Sequence, residues 1–248
     1  MEFWKYYDIT HKEHLICNPT SVEKLNSLIK LLRLKPGCKV LEIATGKGEF
    51  LIRLVEKYKI SAVGVDLSPY YLEDAKLKVK ERVPNADITL IQIDGANYAA
   101  DTLESFDLSC CIGASWIYKG HEETLKFLMK HTKYNGFVVV GEPFWMSKPP
   151  KEYFDLSEIT YETFSTHEGN VKIGENLGLR LLHTFVSTHD EWDRYLGLQW
   201  YATDKYILSH PEDPDIPELL NKLNKEKNLY LKWERDSLGW AIYLFRKI

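Results

Sequence analysis

The alternation of short strand-like runs with helical ones is what most constrains this chain. Lys39-Val40-Leu41-Glu42-Ile43 passes through the turn Ala44-Thr45-Gly46-Lys47-Gly48 into Glu49 to Lys59, where Phe50, Leu51, Leu54 and Val55 recur on one side. The unit then repeats. Ser61 to Asp66 reads as a second strand, followed by a helix from Pro69 to Arg82 with Ser68 as N-cap and proline at its first position. Ile88 to Ile93 and Phe106 to Ile112 are the third and fourth strands, and His121 to Thr132 is a helix. Gly136 to Gly141 is a fifth strand, whose Phe137-Val138-Val139-Val140 run suits burial on both faces. A helix near Thr166 to Leu177 precedes a sixth strand, Leu181 to Ser187, and Gly239 to Phe245 is the last. Strands joined through helices pair in parallel by right-handed crossovers, so the pattern predicts an open α/β sheet with helices on both faces.

Two stretches lie outside the repeat. Ser21 to Leu34 reads as an amphipathic helix ended by Pro36-Gly37. Thr188 to Leu238 is too long for a loop between two strands. Within it Trp192, Tyr195, Leu196, Trp200, Tyr201, Ile207 and Leu208 fall at helical spacing, and Pro217 to Asp236 reads as a second helix. The expected organisation is one domain, 1–248, with an N-terminal cap segment (1–35) and a helical lid insertion (188–238).

Composition removes several function classes. At 44% hydrophobic and 27% charged residues the chain is globular in type, and no apolar run approaches the roughly 18 residues of a membrane span. The polar start, MEFWKYYDITHKEH, has no apolar signal core, and a cytoplasmic location is expected. Cys17, Cys38, Cys110 and Cys111 lack paired-ligand spacing, and His11 and His14 have too few neighbours at ligand spacing, so no metal is expected. A formal charge of −4 and the absence of a basic stripe oppose a nucleic-acid partner, whose affinity comes from phosphate neutralisation. Seven Trp, fifteen Tyr and ten Phe need apolar surroundings.

Ligands of open α/β sheets bind beyond the carboxyl ends of the strands, which directs attention to the turn after the first strand. A nicotinamide dinucleotide would require G-x-G-x-x-G, but from Gly46 this chain gives Gly46-Lys47-Gly48-Glu49-Phe50-Leu51, with leucine in third place and Glu49 where a phosphate would lie. A nucleoside without phosphates fits better. Glu42 ends the first strand and can receive an ammonium. Asp66 ends the second and can accept both hydroxyls of a ribose. Asp94, after the third, can accept from an adenine amino group beside Gly95. Together these describe S-adenosylmethionine (SAM).

Val40 to Gly48 resembles the first motif of class I SAM-dependent methyltransferases, Val65-Asp66-Leu67-Ser68 the second and Ile93-Asp94-Gly95-Ala96 the third. Asn18-Pro19, Cys111 to Ile117, Gly141 to Trp145 and Trp192-Asp193-Arg194-Tyr195 are similar to a prokaryotic small-molecule branch of that class. The resemblance covers nearly the whole chain. It implies a Rossmann-like fold of seven strands, the last antiparallel, and SAM held by Glu42, Ala44, Thr45, Gly46, Gly48, Asp66, Leu67, Asp94, Gly95 and Gly113. It departs at Ala44, where many relatives carry glycine, and it supplies no acceptor.

The expected reaction is methyl transfer from SAM to a small molecule held by Tyr7, Trp116, Trp145, Trp192, Tyr195 and Trp200. Glu142 is the first candidate base, with Tyr118 and His121 behind it. Ordinary packing is the competing explanation for each aromatic, and a structural hydrogen bond for Glu142. The alternatives for the whole chain are a non-catalytic SAM-binding regulatory module and a nicotinamide-dependent oxidoreductase.

Overall fold

The structure is a computed structural model that describes residues Met1–Ile248. Seven strands form one sheet: β1 (Lys39–Ile43), β2 (Ser61–Asp66), β3 (Asp87–Gln92), β4 (Phe106–Ile112), β5 (Thr132–Trp145), β6 (Leu179–Val186) and β7 (Leu238–Lys247), in the order β3-β2-β1-β4-β5-β7-β6. β7 runs antiparallel to both of its neighbours, and the β1, β2, β3, β4 and β5 pairings are parallel. The strand order reverses between β1 and β4, so the crevice at their carboxyl ends is the switch point where such sheets bind ligands.

Period-two alternation gives the sheet two different cores. Val40, Leu108, Cys110, Val139, Ile242 and Leu244 meet α2 (Val22–Leu32) and α3 (Glu49–Lys57) on one face. Leu41, Ile43, Cys111, Val138, Val140, Tyr243 and Phe245 meet α5 (His121–His131) and α7 (His167–Asn176) on the other. Cys110 and Cys111 thus point to opposite faces, each fully buried. The remaining helices are α1 (Phe3–Thr10), α4 (Pro69–Arg82), α6 (Lys151–Leu156), α8 (His189–Ser209), α9 (Ile216–Leu229) and α10 (Arg235–Ser237).

Two departures from the expected elements have physical reasons. β5 extends four residues beyond each end of the Gly136–Gly141 run; at the far end β7 pairs with it throughout, Trp145 facing Leu238, and at the near end Thr132 pairs with Phe106 of β4. Helix α1 is not among the expected elements, because MEFWKYYDIT has no clean apolar period; it starts where the Glu2 carboxylate accepts from the Trp4 and Lys5 amides at 2.9 and 2.7 Å.

Since β7 is antiparallel, it begins at the edge where β6 ends, and the intervening helices α8 and α9 hang from the carboxyl edge of the sheet. Helix α1 packs against them. Lys5 pairs with Asp213 and Asp215 at 2.8 and 2.7 Å, the Tyr6 hydroxyl donates to Glu226 at 2.6 Å, and the Lys222 ammonium sits 3.7 Å from the Tyr6 ring centroid.

Candidate cofactor and acceptor site

A ligand-sized cavity opens at the switch point, between the carboxyl ends of β1, β2 and β4, and is roofed by α1 and α8. Of its 28 lining residues 17 are hydrophobic, so its polar groups are few and placed. Glu42, Asp66 and Asp94 all line it, with Ala44, Thr45, Gly46, Leu67, Gly95 and Gly113.

Each carboxylate is prepared in a different way. Glu42 is 3% exposed and accepts from the Thr45 hydroxyl at 2.6 Å; burial raises its pKa to about 8. Asp66 accepts the Gly46 amide at 2.7 Å on one oxygen and the Ser68 amide at 2.9 Å on the other. Each oxygen keeps a lone pair, so two hydroxyls can still be received. The same bonds tie the glycine turn to the second strand. Asp94 accepts from the Ala96 amide at 2.9 Å, and Gly95 beside it has no room for a side chain, since a Cβ would lie 2.7 Å from Ile43. Ala44 holds φ 54°, a left-handed conformation that strains any residue but glycine. The donor set therefore suits a cationic, phosphate-free nucleoside: an acid for an ammonium, lone pairs for a ribose, and a glycine-lined shelf.

Several expected site residues lie elsewhere. Gly48 caps α3 at φ 71° and lets Ala75 of α4 approach, a Cβ there meeting it at 3.1 Å; it does not line the cavity. Glu142 follows Val138 and Val140 onto the α5/α7 face, 2% exposed, with its Oε2 unpartnered and 3.9 Å from His121 Nδ1. It is not poised over the cavity. His121 bonds the Asn170 carbonyl at 3.1 Å, and the Tyr118 hydroxyl donates to the Gly95 carbonyl at 2.8 Å while its ring stacks on Phe127. Tyr118 thus braces the Gly95 shelf from behind. Trp145 donates to the Tyr161 carbonyl at 2.8 Å within an aromatic cluster with Tyr153. Trp192 packs against the α2/α3 core, and Trp200 lies against Tyr230 and Lys227.

Of the six expected acceptor residues, Tyr7, Trp116 and Tyr195 line the cavity. Trp116, 66% exposed, stands at the rim. Phe3, Trp4, His11, Leu15, Ile16, Cys17 and Tyr71 also line it, none of them among the residues expected there from the sequence. Phe3, Tyr7 and the C-cap His11 fall four residues apart on one side of α1, a stripe too short and too polar to mark a helix by itself. Glu49, expected to repel phosphate, is turned to Arg53, Lys78 and Arg82 at 2.6, 3.3 and 2.8 Å, so its charge is neutralised.

A methyltransferase-domain family model matches residues 40–136, the stretch from β1 into β5. The Escherichia coli protein YjhP is 29% identical over 98% of both chains. A SAM-dependent methyltransferase from Thiobacillus denitrificans in complex with S-adenosylhomocysteine superposes with a TM-score of 0.90, at 29% identity and covering 100% of each chain. One from Geobacter sulfurreducens, with the same ligand, does so at 0.90 and 27% identity over 98% of each. The protein is a class I SAM-dependent methyltransferase, and SAM is its methyl donor.

Because Glu142 lies outside the cavity, Glu142→Gln is expected to leave SAM affinity and turnover within about twofold of wild type. Burial raises the Glu142 pKa to about 7, which disfavours its charged form. The folded state then holds a proton that the unfolded chain releases near pH 4.5, so the carboxyl's contribution to stability is full below that pH and is lost as pH rises through 7. A neutral amide escapes this loss. Thermal melts should show the variant gaining on wild type from pH 6 to 8; a parallel pH dependence would contradict the assignment.

Proposed function

We propose that the protein methylates a small, largely apolar molecule held in the outer half of this cavity, with SAM in the inner half. The observation that carries the reading is the cavity's division. Glu42, Asp66 and Asp94 gather at the strand ends, whereas Trp4, Tyr7, Leu15 and Tyr195 supply an aromatic and aliphatic wall from the chain's N-terminal segment and helical insertion, joined by Tyr71 of α4. In this reading Glu42 receives the ammonium of SAM, Asp66 the ribose hydroxyls and Asp94 the adenine amino group, along Ala44, Thr45, Gly46, Leu67, Gly95 and Gly113. Aromatic faces suit a planar or cationic acceptor and the sulfonium alike. Three carboxylates and an overall charge of −4 disfavour nucleic acid as acceptor.

The roof acts as the lid. Helix α1 with its C-cap His11, and helix α8, contribute Tyr7, His11 and Tyr195 to the cavity, so a ligand that orders the wall orders the roof. No helix is long and apolar enough to cross a membrane. Four free cysteines, two of them buried in β4, fit a reducing cytoplasm.

The test is a screen of small-metabolite extract with trideuteromethyl-labelled SAM, read by mass spectrometry. A labelled small molecule is expected; labelled tRNA or protein with no small product would overturn the proposal. Hydrogen exchange in residues 3–10 and 189–209 should slow when S-adenosylhomocysteine is added. Protection confined to the glycine turn would argue against a lid.

A further inference from the structure

Two histidines of the N-terminal segment grip Tyr195 of α8, and the bond directions follow by elimination. Thr10 Oγ1 lies 2.9 Å from the Tyr6 carbonyl and 3.0 Å from His11 Nδ1. A hydroxyl has one proton and a carbonyl only accepts, so Thr10 donates to Tyr6 and accepts from His11. The ring proton of His11 is therefore on Nδ1. Its bare Nε2, 2.9 Å from the Tyr195 hydroxyl, accepts that proton-bearing group. His14 Nε2 donates to the Tyr195 carbonyl at 2.8 Å and fixes the α8 backbone at the same point. Both His11 and Tyr195 line the cavity, and no protein group donates to the Tyr195 oxygen.

Resting on the cavity division above, we propose that Tyr195 and His11 form the proton-accepting pair for methyl transfer, and that the acceptor is a protic one with an O–H or N–H nucleophile. The acceptor's lone pair bonds to the methyl carbon as the carbon–sulfur bond breaks and its electrons remain on sulfur. The acceptor's proton passes to Tyr195 Oη while the Tyr195 proton passes to His11 Nε2. Sulfonium charge is thereby exchanged for imidazolium charge, and the cavity's count of positive charges is unchanged. His11 returns its proton to water once the roof opens.

The surroundings of His11 keep its Nε2 bare before transfer and make its protonated form short-lived. It is 4% exposed, and burial, with His14 and Lys47 nearby, lowers its pKa to about 3, so it is neutral at physiological pH. Tyr7, Tyr71 and Tyr195 are the other titratable groups against it; Lys47 is the cation, and Asp74 offsets it at 3.0 Å. Each pair member comes from a different part of the roof, so the proton relay is complete only while α1 and α8 are together.

The tautomer is testable without any acceptor. In proton-coupled nitrogen-15 spectra at pH 7, with the His11→Gln variant supplying the assignment, His11 should show Nδ1 protonated and Nε2 bare. Tyr195→Phe should shift the Nε2 signal. The opposite tautomer, a charged ring or an unmoved signal would each overturn the proposal. Tyr195→Phe keeps the ring and should hold SAM affinity within twofold by calorimetry. With small-metabolite extract as acceptor source it should slow methylation by roughly 100-fold or more, recovering as pH rises toward the acceptor's own ionisation. A rate within threefold of wild type, or a product formed from an aprotic nucleophile such as a tertiary amine, would refute the pair. Binding of SAM without any labelled small product would instead refute the small-molecule reading on which it rests.

Discussion

The Asp66→Ala variant is expected to bind SAM about 2 to 3 kcal/mol more weakly than the wild type, a loss of roughly 30- to 150-fold. Two effects add. The carboxylate's free lone pairs stand at the end of β2, where a pair of ribose hydroxyls would be received, and its other lone pairs hold the Gly46 and Ser68 amides at 2.7 and 2.9 Å. Removing it strips the ligand of charge-assisted bonds and frees the turn that shapes the cavity floor. Asp66→Asn separates the two, since it keeps the shape but offers a donor where an acceptor is needed; it should fall between wild type and alanine. Titration calorimetry with S-adenosylhomocysteine gives the answer, and unchanged affinity in both variants would remove Asp66 from the site.

A second large effect is proton release. With a pKa near 8, Glu42 is mainly protonated in the unliganded protein at pH 7. An arriving ammonium favours its ionised form, so SAM binding should release close to one proton and tighten as pH rises from 6 to 8. Calorimetry in buffers of different ionisation enthalpy measures this directly. Glu42→Gln should bind weakly and release none, and a wild-type protein that releases no proton would show that Glu42 does not meet the ammonium. The unliganded protein carries the complementary signature. A folded pKa above the ordinary carboxyl value gives stability that is full below about pH 4.5 and lost as pH rises through 8. Melting temperatures of wild type and Glu42→Gln should therefore diverge across that window, the variant gaining at the alkaline end.

The gathering of Glu42, Asp66 and Asp94 in one cavity was legible in the sequence because these residues sit at strand ends, and strand ends are fixed by short, strongly patterned runs. Glu42, Asp66 and Asp94 are one residue type at three equivalent positions of a repeating unit, and their convergence follows from parallel pairing alone. The acceptor half was not legible in this way. Its wall is made by side chains of α1 and α8 from opposite ends of the chain, brought together by the antiparallel β7 that hangs the insertion from the carboxyl edge. The face of Glu142 is readable from strand alternation: counting in twos from Val138 and Val140 puts it with the α5/α7 core, away from the face that Val40 and Glu42 share. Trp145, Trp192 and Trp200 show the other limit, because helical or strand spacing says that an aromatic is covered without saying by what. Tyr195 is three residues from Trp192 on the same helix, yet it alone is held between His11 and His14 at the cavity wall.

A crystal structure with S-adenosylhomocysteine tests the central claim most directly. The ribose hydroxyls are expected on Asp66, the adenine beside Asp94 and Gly95, the amino group on Glu42, and the sulfur facing the compartment walled by Tyr7, His11 and Tyr195. A nucleoside seated away from these three carboxylates, or a sulfur turned from that compartment, would contradict the account.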